Sequence, residues 1–274
     1  MEKKRLDVIL VEKGFFESRQ RARSIILAGN VFVNGNREDK PGTNFPQDCK
    51  IELKDMGLKY VSRGGLKLEK AIEFFDLDLN GIDAIDVGAS TGGFAHCMLE
   101  NGANRVICVD VGYGQLDWKI RSDHRVFCME RTNIRYVKAP ALPFSPNFVV
   151  VDVSFISLKK VIPVVLEFVQ EDTGFVFLVK PQFEAGREKV GKKGVVREKS
   201  THIEVLESSL EFFRENGLFV VGLTHSPIKG PEGNIEFLVY CRNTEVVTNA
   251  NVDVNGVVGE AWNNWEQDLN KQKS

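Results

Sequence analysis

No apolar run in this 274-residue chain approaches the roughly 18–20 residues that a membrane-crossing helix requires. The richest stretch, Val161 to Val169, is interrupted by Pro163 and Glu167. Lys3, Lys4 and Arg5 stand at the N-terminus without the apolar core of a secretory signal behind them. Cysteine is scarce: the five residues at 49, 97, 108, 128 and 241 are odd in number and show neither CxxC nor metal-ligand spacing. These absences argue against a disulfide scaffold, a zinc site and an integral membrane protein, and predict reduced thiols in a cytoplasmic protein. Internal repeats are absent as well. What remains is ordinary globular composition, 43% apolar and 27% charged, with length for one large domain or two unequal ones.

The formal net charge of −2 hides an asymmetry. Residues 1–70 hold 15 Lys and Arg against 10 Asp and Glu, a local excess of +5, and the other 204 residues carry −7. A basic front on an acidic body predicts contact with a polyanion. Within that front, Arg5-Leu6-Asp7 opens a helical period with Leu6, Ile9 and Leu10 on one stripe, ending near Gly14. Ser18 is a good N-cap for a second helix whose buried face is Ala22, Ile25 and Ile26. Val31-Phe32-Val33 reads as a short strand, and Asn34-Gly35 as a tight turn. With the isoleucines inward, Arg19, Arg21, Arg23 and Arg37 project outward, where guanidinium groups suit phosphate.

Residues 5–42 resemble the S4 RNA-binding domain. The shared pattern is Arg5-Leu6-Asp7, Gly14, Ser18-Arg19, Ala22, Ile26, Gly29, Val31, Val33-Asn34-Gly35 and Lys40-Pro41-Gly42. The resemblance implies binding of structured, ribosomal RNA through phosphates and shape. The residues expected to contact RNA are Arg5, Arg19, Arg21, Arg23 and Arg37, with Arg63 beyond the domain. Lys192 and Lys193 join them from the segment Gly191 to Arg197, whose composition suits a mobile loop closing over RNA or a plain solvated turn.

Past Lys59, apolar runs alternate with helix-length segments: Asp83 to Val87, Arg105 to Val109, Asn147 to Val153, Gly174 to Val179 and Leu218 to Leu223. Such alternation predicts an α/β body with a mainly parallel sheet covered on both faces. A last run, Ile235 to Cys241, is expected to pair antiparallel at or near an edge. The first strand breaks into Asp86-Val87-Gly88-Ala89-Ser90-Thr91-Gly92-Gly93-Phe94. A dinucleotide fingerprint would need glycine where Ser90 stands, and a phosphate-binding loop would need GK[ST] at the end. What fits is the motif I pattern of S-adenosylmethionine (SAM) methyltransferases, which implies cofactor contacts from Asp86, Gly88, Ala89, Ser90, Gly92, Gly93 and Phe94. The second strand ends at Asp110, about 20 residues on, where a carboxylate can accept from a ribose diol. Asn133, after the third strand, is placed to contact adenine.

Four ionisable residues fall near the ends of apolar elements: Lys67, Asp152, Lys180 and Glu236. Charges there are costly unless paired or functional. With Ser62-Arg63-Gly64-Gly65, Asp152-Val153-Ser154-Phe155, Lys180-Pro181-Gln182-Phe183-Glu184 and Gly191 to Arg197, they make residues 1–242 similar to the TlyA family. In that family an S4 domain is fused to an FtsJ-like ribosomal RNA 2′-O-ribose methyltransferase. The resemblance implies a Rossmann-like SAM-dependent fold behind a small α+β S4 domain. It maps the catalytic Lys-Asp-Lys-Glu set onto Lys67, Asp152, Lys180 and Glu236. The expected organisation is an S4 domain over 1–58, a linker over 59–65, the methyltransferase over 66–242 and a C-terminal tail with a helix over 243–274. Trp262 and Trp265 are expected there as packing anchors.

The residue types suit the reaction that the family implies. A ribose 2′-hydroxyl must lose its proton as it attacks the sulfonium methyl, and positioning removes much of the entropic barrier. Lys180 either takes that proton, stabilises the alkoxide or only orients the hydroxyl, since flanking carboxylates favour the ammonium form and oppose base function. Asp152 steers Lys180 and lies near the methyl donor, while Lys67 and Glu236 hold the nucleotide. No metal is required. Enzymes that methylate an adenine amine carry prolines after the equivalent of Asp152, and here Val153-Ser154-Phe155 follows. The expected partner is ribosomal RNA or a ribosomal subunit, with cytidine implied by the family. Two other readings differ in class: a membrane-active haemolysin, a name often attached to this family, and an S4 RNA-binding protein without catalysis.

Overall fold

The computed structural model describes residues 3–16, 18–27, 29–53, 59–191, 193–230, 232–245 and 252–271, without the side chains of Arg21 and residues 266–271. The front begins with β1 (Lys3–Arg5), α1 (Leu6–Glu12) and α2 (Arg19–Leu27). There follow β2 (Val31–Val33), β3 (Asn36–Glu38), β4 (Asn44–Pro46) and β5 (Ile51–Leu53). Leu6, Ile9, Leu10, Ala22, Ile25, Ile26, Val31 and Val33 close a small core of their own. The β2–β3 turn at Asn34-Gly35 has both residues at positive φ, 51° and 82°, the twist that a two-residue hairpin needs. β5 pairs on the other edge of β2, and β1 pairs antiparallel with β4.

The body follows as α3 (Gly64–Phe75), β6 (Asp83–Val87), α4 (Gly93–Glu100), β7 (Arg105–Val109), α5 (Trp118–Arg121) and β8 (Val126–Met129). Then come β9 (Phe148–Val151), α6 (Ile162–Val165), β10 (Gly174–Val179), α7 (Pro181–Glu184), α8 (Lys199–Glu215), β11 (Phe219–His225), β12 (Phe237–Arg242) and α9 (Val254–Lys271). The seven-stranded sheet runs β11-β12-β10-β9-β6-β7-β8. β8, β7, β6, β9 and β10 are parallel, and β12 is antiparallel to both its neighbours. One apolar layer carries Phe175, Phe177, Phe213 and Phe237, and the other carries Leu68, Met98 and Leu178. Burial on both faces is why β9 and β10 read as unbroken apolar runs. Trp262 and Trp265 on α9 pack against the first layer.

β12 pairs antiparallel near the edge, as expected: it lies between β10 and the edge strand β11, and Phe237 to Cys241 are all buried. Glu236 stands just before β12, with its carbonyl accepting the Ser226 N–H, so its charge interrupts no strand. Within the segment Gly191 to Arg197, Val195 and Val196 are buried, and Asn234 accepts the Val196 N–H and donates to the Gly194 carbonyl. Lys192 lies outside the described residues, and Lys193 is exposed.

Candidate active site at the carboxyl ends of β6 and β9

Strand order reverses between β6, which leads outward to β7 and β8, and β9, which leads to β10. A parallel sheet opens a crevice at such a switch point. Gly88 follows β6 and Asp152 follows β9, and the two chains touch: a Cβ at Gly88 would lie 2.4 Å from the Asp152 carbonyl oxygen. Gly88 also holds φ at +89°, so both the approach and the backbone require glycine. Gly92, at φ +87°, is the N-cap of α4 and turns toward Leu116 and Ile120. The Asp110 carboxylate braces the loop, accepting the Ser90 N–H at 2.8 Å and the Gly112 N–H at 2.7 Å. Asn133 Oδ1 accepts the Arg135 N–H at the start of a 3-10 turn.

Gly88, Ser90, Asp110, Asn133 and Asp152 line a cavity of about 940 Å³. Asp86, Ala89, Gly93 and Phe94 face the other side, toward a second cleft of about 450 Å³, which Gly88, Ser90 and Asp152 also line. Asp86 is 1% exposed, and its Oδ2 accepts the Ala95 N–H at 3.0 Å. Burial, reinforced by Asp152, pushes its carboxyl up to about 8.

Ser62-Arg63-Gly64-Gly65 brings α3 to this point. The Tyr60 ring lies where a Cβ on Gly65 would be, and Ser62 Oγ lies where one on Gly93 would be. The first turns of α3 and α4 can therefore meet. The Val61 N–H donates to His96 Nδ1 at 3.0 Å, fastening the chain before α3 onto α4. Lys67, in the second turn of α3, lies with its Nζ 2.6 Å from Glu236 Oε2 and 3.9 Å from Asp152 Oδ2. Lys180 Nζ is 2.5 Å from Asp152 Oδ1 and donates to Ser154 Oγ at 2.9 Å. Four residues far apart in sequence thus form one chain of alternating charge, Glu236–Lys67–Asp152–Lys180. Lys67 and Lys180 are each 7% exposed and Glu236 1%.

Burial alone would drive the Asp152 carboxyl up, yet Lys180 and Lys67 together hold it below its ordinary value. Burial likewise opposes the Lys67 ammonium, and Asp152 and Glu236 reverse the shift and raise it. The four charges sum to zero, which is how a buried set of ions remains tolerable.

The second cleft lies between the front and the body. Lys67, Asp152, Lys180 and Glu236 line it together with Arg63, Lys40 and Lys229. It meets the larger cavity at Gly88, Ser90, Asp152 and Ser154. Arg63 is partly buried, and burial together with nearby Arg37 lowers its pKa. Arg37 folds its guanidinium across Gly29, and Arg23 is exposed. Arg5 and Arg19 converge on Asp7, which is fully buried, with about half of each arginine side chain left in solvent. The Arg21 side chain lies outside the described residues.

Sequence reasoning singled out no role for Ser154, Phe155 or Glu184. Phe155 is 92% exposed at the cavity mouth, its backbone at φ +64° and its ring 5.2 Å from that of Phe183. An aromatic residue in left-handed backbone leaves no periodic signal. The only trace available was its place directly after an acidic strand end.

Residues 60–243 match the FtsJ-like methyltransferase family, and residues 4–46 match the S4 domain. Over 239 residues the chain is 40% identical to the 16S/23S rRNA (cytidine-2′-O)-methyltransferase TlyA of Mycobacterium tuberculosis, spanning 87% of this chain and 89% of that protein. It is also 40% identical over 237 residues to Hemolysin A of Brachyspira hyodysenteriae, spanning 86% of this chain and 98% of the relative. A solved structure described as a hemolysin, from Streptococcus thermophilus, superposes with a TM-score of 0.77 at 43% identity, covering 98% of this chain and 99% of that one. With an S4 domain ahead of an FtsJ-like methyltransferase domain, this chain belongs to the TlyA family.

Proposed function

We propose that the protein transfers a methyl group from SAM to a ribose 2′-hydroxyl of ribosomal RNA, on a cytidine. The observation that carries this reading is the meeting of two cavities at Asp152 and Ser154, with Lys180 and Lys67 at the junction. The larger cavity fits the cofactor. Gly88 and Ser90 line it with backbone at the switch point, and the Asp110 carboxylate stands at the end of β7, where a ribose diol is received in nucleoside-binding sheets. Gly88, Ser90, Asp110 and Asn133 would hold SAM there. When bound, it supplies an electrophilic methyl on a sulfonium.

The chain's own residues supply the rest. Lys180, fixed by Asp152 and Ser154, contacts the sugar oxygen, orients it and stabilises the negative charge that develops there, while the hydroxyl proton leaves to solvent through the open cleft. Lys67 and Glu236 fix Asp152 from the other side. The exposed Phe155 ring offers a stacking face for an unpaired base, the usual way a protein grips a splayed nucleotide. Arg63 and Lys40 line the same cleft and suit the phosphates flanking the target, with the S4 domain docking the RNA.

The test is transfer of labelled methyl from SAM into unmodified ribosomal subunits, followed by mapping of 2′-O-methyl positions. Lys180→Ala should abolish transfer while leaving SAM binding near wild type. Normal turnover in that variant would overturn the mechanism. Incubation of purified protein with red cells addresses the activity that other relatives' names carry. No described helix is long and apolar enough to cross a membrane.

A further inference from the structure

Glu184 is a partly buried carboxylate outside the four-charge chain. Its Oε2 accepts the Ser157 hydroxyl at 2.6 Å and its Oε1 accepts the Leu158 N–H at 2.8 Å. Burial raises its pKa and these two donors oppose the rise. The partners lie on the loop after β9, the loop that carries Asp152, Ser154 and Phe155. Glu184 itself closes α7, the single turn whose N-cap is Lys180.

We propose that Glu184 is a positioning residue: it locks the loop after β9 to the turn bearing Lys180, so that Ser154 meets the lysine and Phe155 stands at the mouth. The geometry makes the lock necessary. Asp152 is anchored through its own N–H to the Val87 carbonyl, and Ser157 and Leu158 are anchored on Glu184. Between these two anchors the backbone passes through Phe155 at φ +64°. A bulky residue in that region persists only where the surroundings over-determine it. Phe155 is too exposed to be held by burial, so its constraint comes from the anchors and from Phe183, which also sits on α7. The two loops are thus joined at three levels, Lys180 to Ser154, Phe183 to Phe155 and Glu184 to Ser157. Glu184 makes the two hydrogen bonds farthest from the reacting atoms.

This inference rests on Lys180 acting on the sugar oxygen. Glu184→Ala removes both acceptor oxygens, whereas Glu184→Gln can keep both links, its amide oxygen accepting the Leu158 N–H and its NH₂ donating to the Ser157 hydroxyl oxygen. Full-length wild type, Glu184→Ala, Glu184→Gln, Ser157→Ala, the Glu184→Ala/Ser157→Ala double variant and Lys180→Ala would be compared for kcat and for KM on unmodified ribosomal subunits. SAM affinity would be read by calorimetry. We expect kcat to fall about tenfold to a hundredfold in Glu184→Ala, the effect of a small misplacement of a reacting group, and to recover most of that loss in Glu184→Gln. SAM affinity and KM for RNA should stay within about twofold of wild type, and the double variant should be no worse than Glu184→Ala, because both residues serve one bracket. Unchanged kcat in Glu184→Ala while Lys180→Ala is inactive would overturn the inference and leave the mechanism standing. A fall in SAM affinity in step with kcat would also overturn it, since that marks a general structural role. Turnover by Lys180→Ala would instead sink the reading on which the inference depends.

Discussion

The Lys67–Glu236 contact separates what the fold requires from what the reaction requires. Glu236 is 1% exposed and Lys67 is 7% exposed, with Nζ and Oε2 2.6 Å apart. Removing one partner leaves the other charged and all but buried. Glu236→Leu leaves Lys67 with only Asp152, at 3.9 Å, and Lys67→Met leaves Glu236 with neither of the site's lysines paired to it. Breaking a buried pair in this way costs about 3–5 kcal/mol. Replacing both partners by apolar side chains removes two desolvation penalties together and is often neutral. Each single variant should therefore lower the Tm of the catalytic domain by roughly 6–20 °C, taking about 2–4 °C per kcal/mol for a domain of this size. Lys67→Met/Glu236→Leu should recover most of that loss. The assay is calorimetry and urea unfolding of all four proteins at neutral pH, alongside methyl transfer. The double variant should be stable and inactive, because Asp152 has lost one of the two cations that hold its carboxyl low. If the single variants cost less than about 1 kcal/mol, or if the double costs the sum of the two, the pair is not a desolvated ion pair and the electrostatic account fails.

Two further outcomes are expected. Asp86 has a folded-state carboxyl raised to about 8, so it keeps its proton on folding across a range where the unfolded chain has lost it. Its contribution to stability is full below the unfolded value and declines as pH rises toward 8, by up to about 1.4 kcal/mol per pH unit. Asp86→Asn should remove that decline; urea unfolding at pH 5 and pH 8 would show it, and an equal pH slope in the two proteins would refute it. Gly88→Ala forces a Cβ to within 2.4 Å of the Asp152 carbonyl oxygen at φ +89°, and should weaken SAM binding at least about tenfold by calorimetry. An alanine variant that binds as wild type does would show that the close approach is dispensable.

Much of the architecture was legible because its causes are local. β6, β7 and β10 read directly as apolar runs, since a parallel sheet covered on both faces needs no alternation. The S4 helices and the Asn34-Gly35 turn were legible from stripe and turn chemistry. The place of β12 was legible only as antiparallel and near an edge: an apolar strand carries no mark of which neighbours it pairs with, and only assembly of the sheet puts it between β10 and β11. Arg5 and Arg19 read as RNA-contacting cations, and nothing in the sequence announces that Asp7 between them is fully buried and draws both guanidinium groups to itself. The four-charge chain was legible as charges near apolar elements, but its pairing order was not. That Lys67 takes Glu236 and Lys180 takes Asp152 depends on where α3 lands against the carboxyl end of the sheet.

The glycines at 65, 88, 93 and 230 decide that landing. Gly65 admits Tyr60, Gly93 admits Ser62, Gly88 admits the Asp152 backbone, and Gly230 admits the Glu236 carboxylate. Each is a point where the missing Cβ leaves room for another segment of the site's wall. Lys67 reaches Glu236 because α3 can sit directly on α4, and Asp152 reaches both lysines because β6 and β9 are neighbours with nothing projecting at Gly88. A motif that looks like flexibility in the sequence is therefore close packing in the fold. These close approaches bring the charged side chains within ion-pair distance of one another. Glycine-to-alanine changes at these positions should consequently damage the lysine–carboxylate geometry, and at Gly88 the larger cavity as well, whereas a change confined to that cavity, such as one at Asn133, should spare the ion pairs.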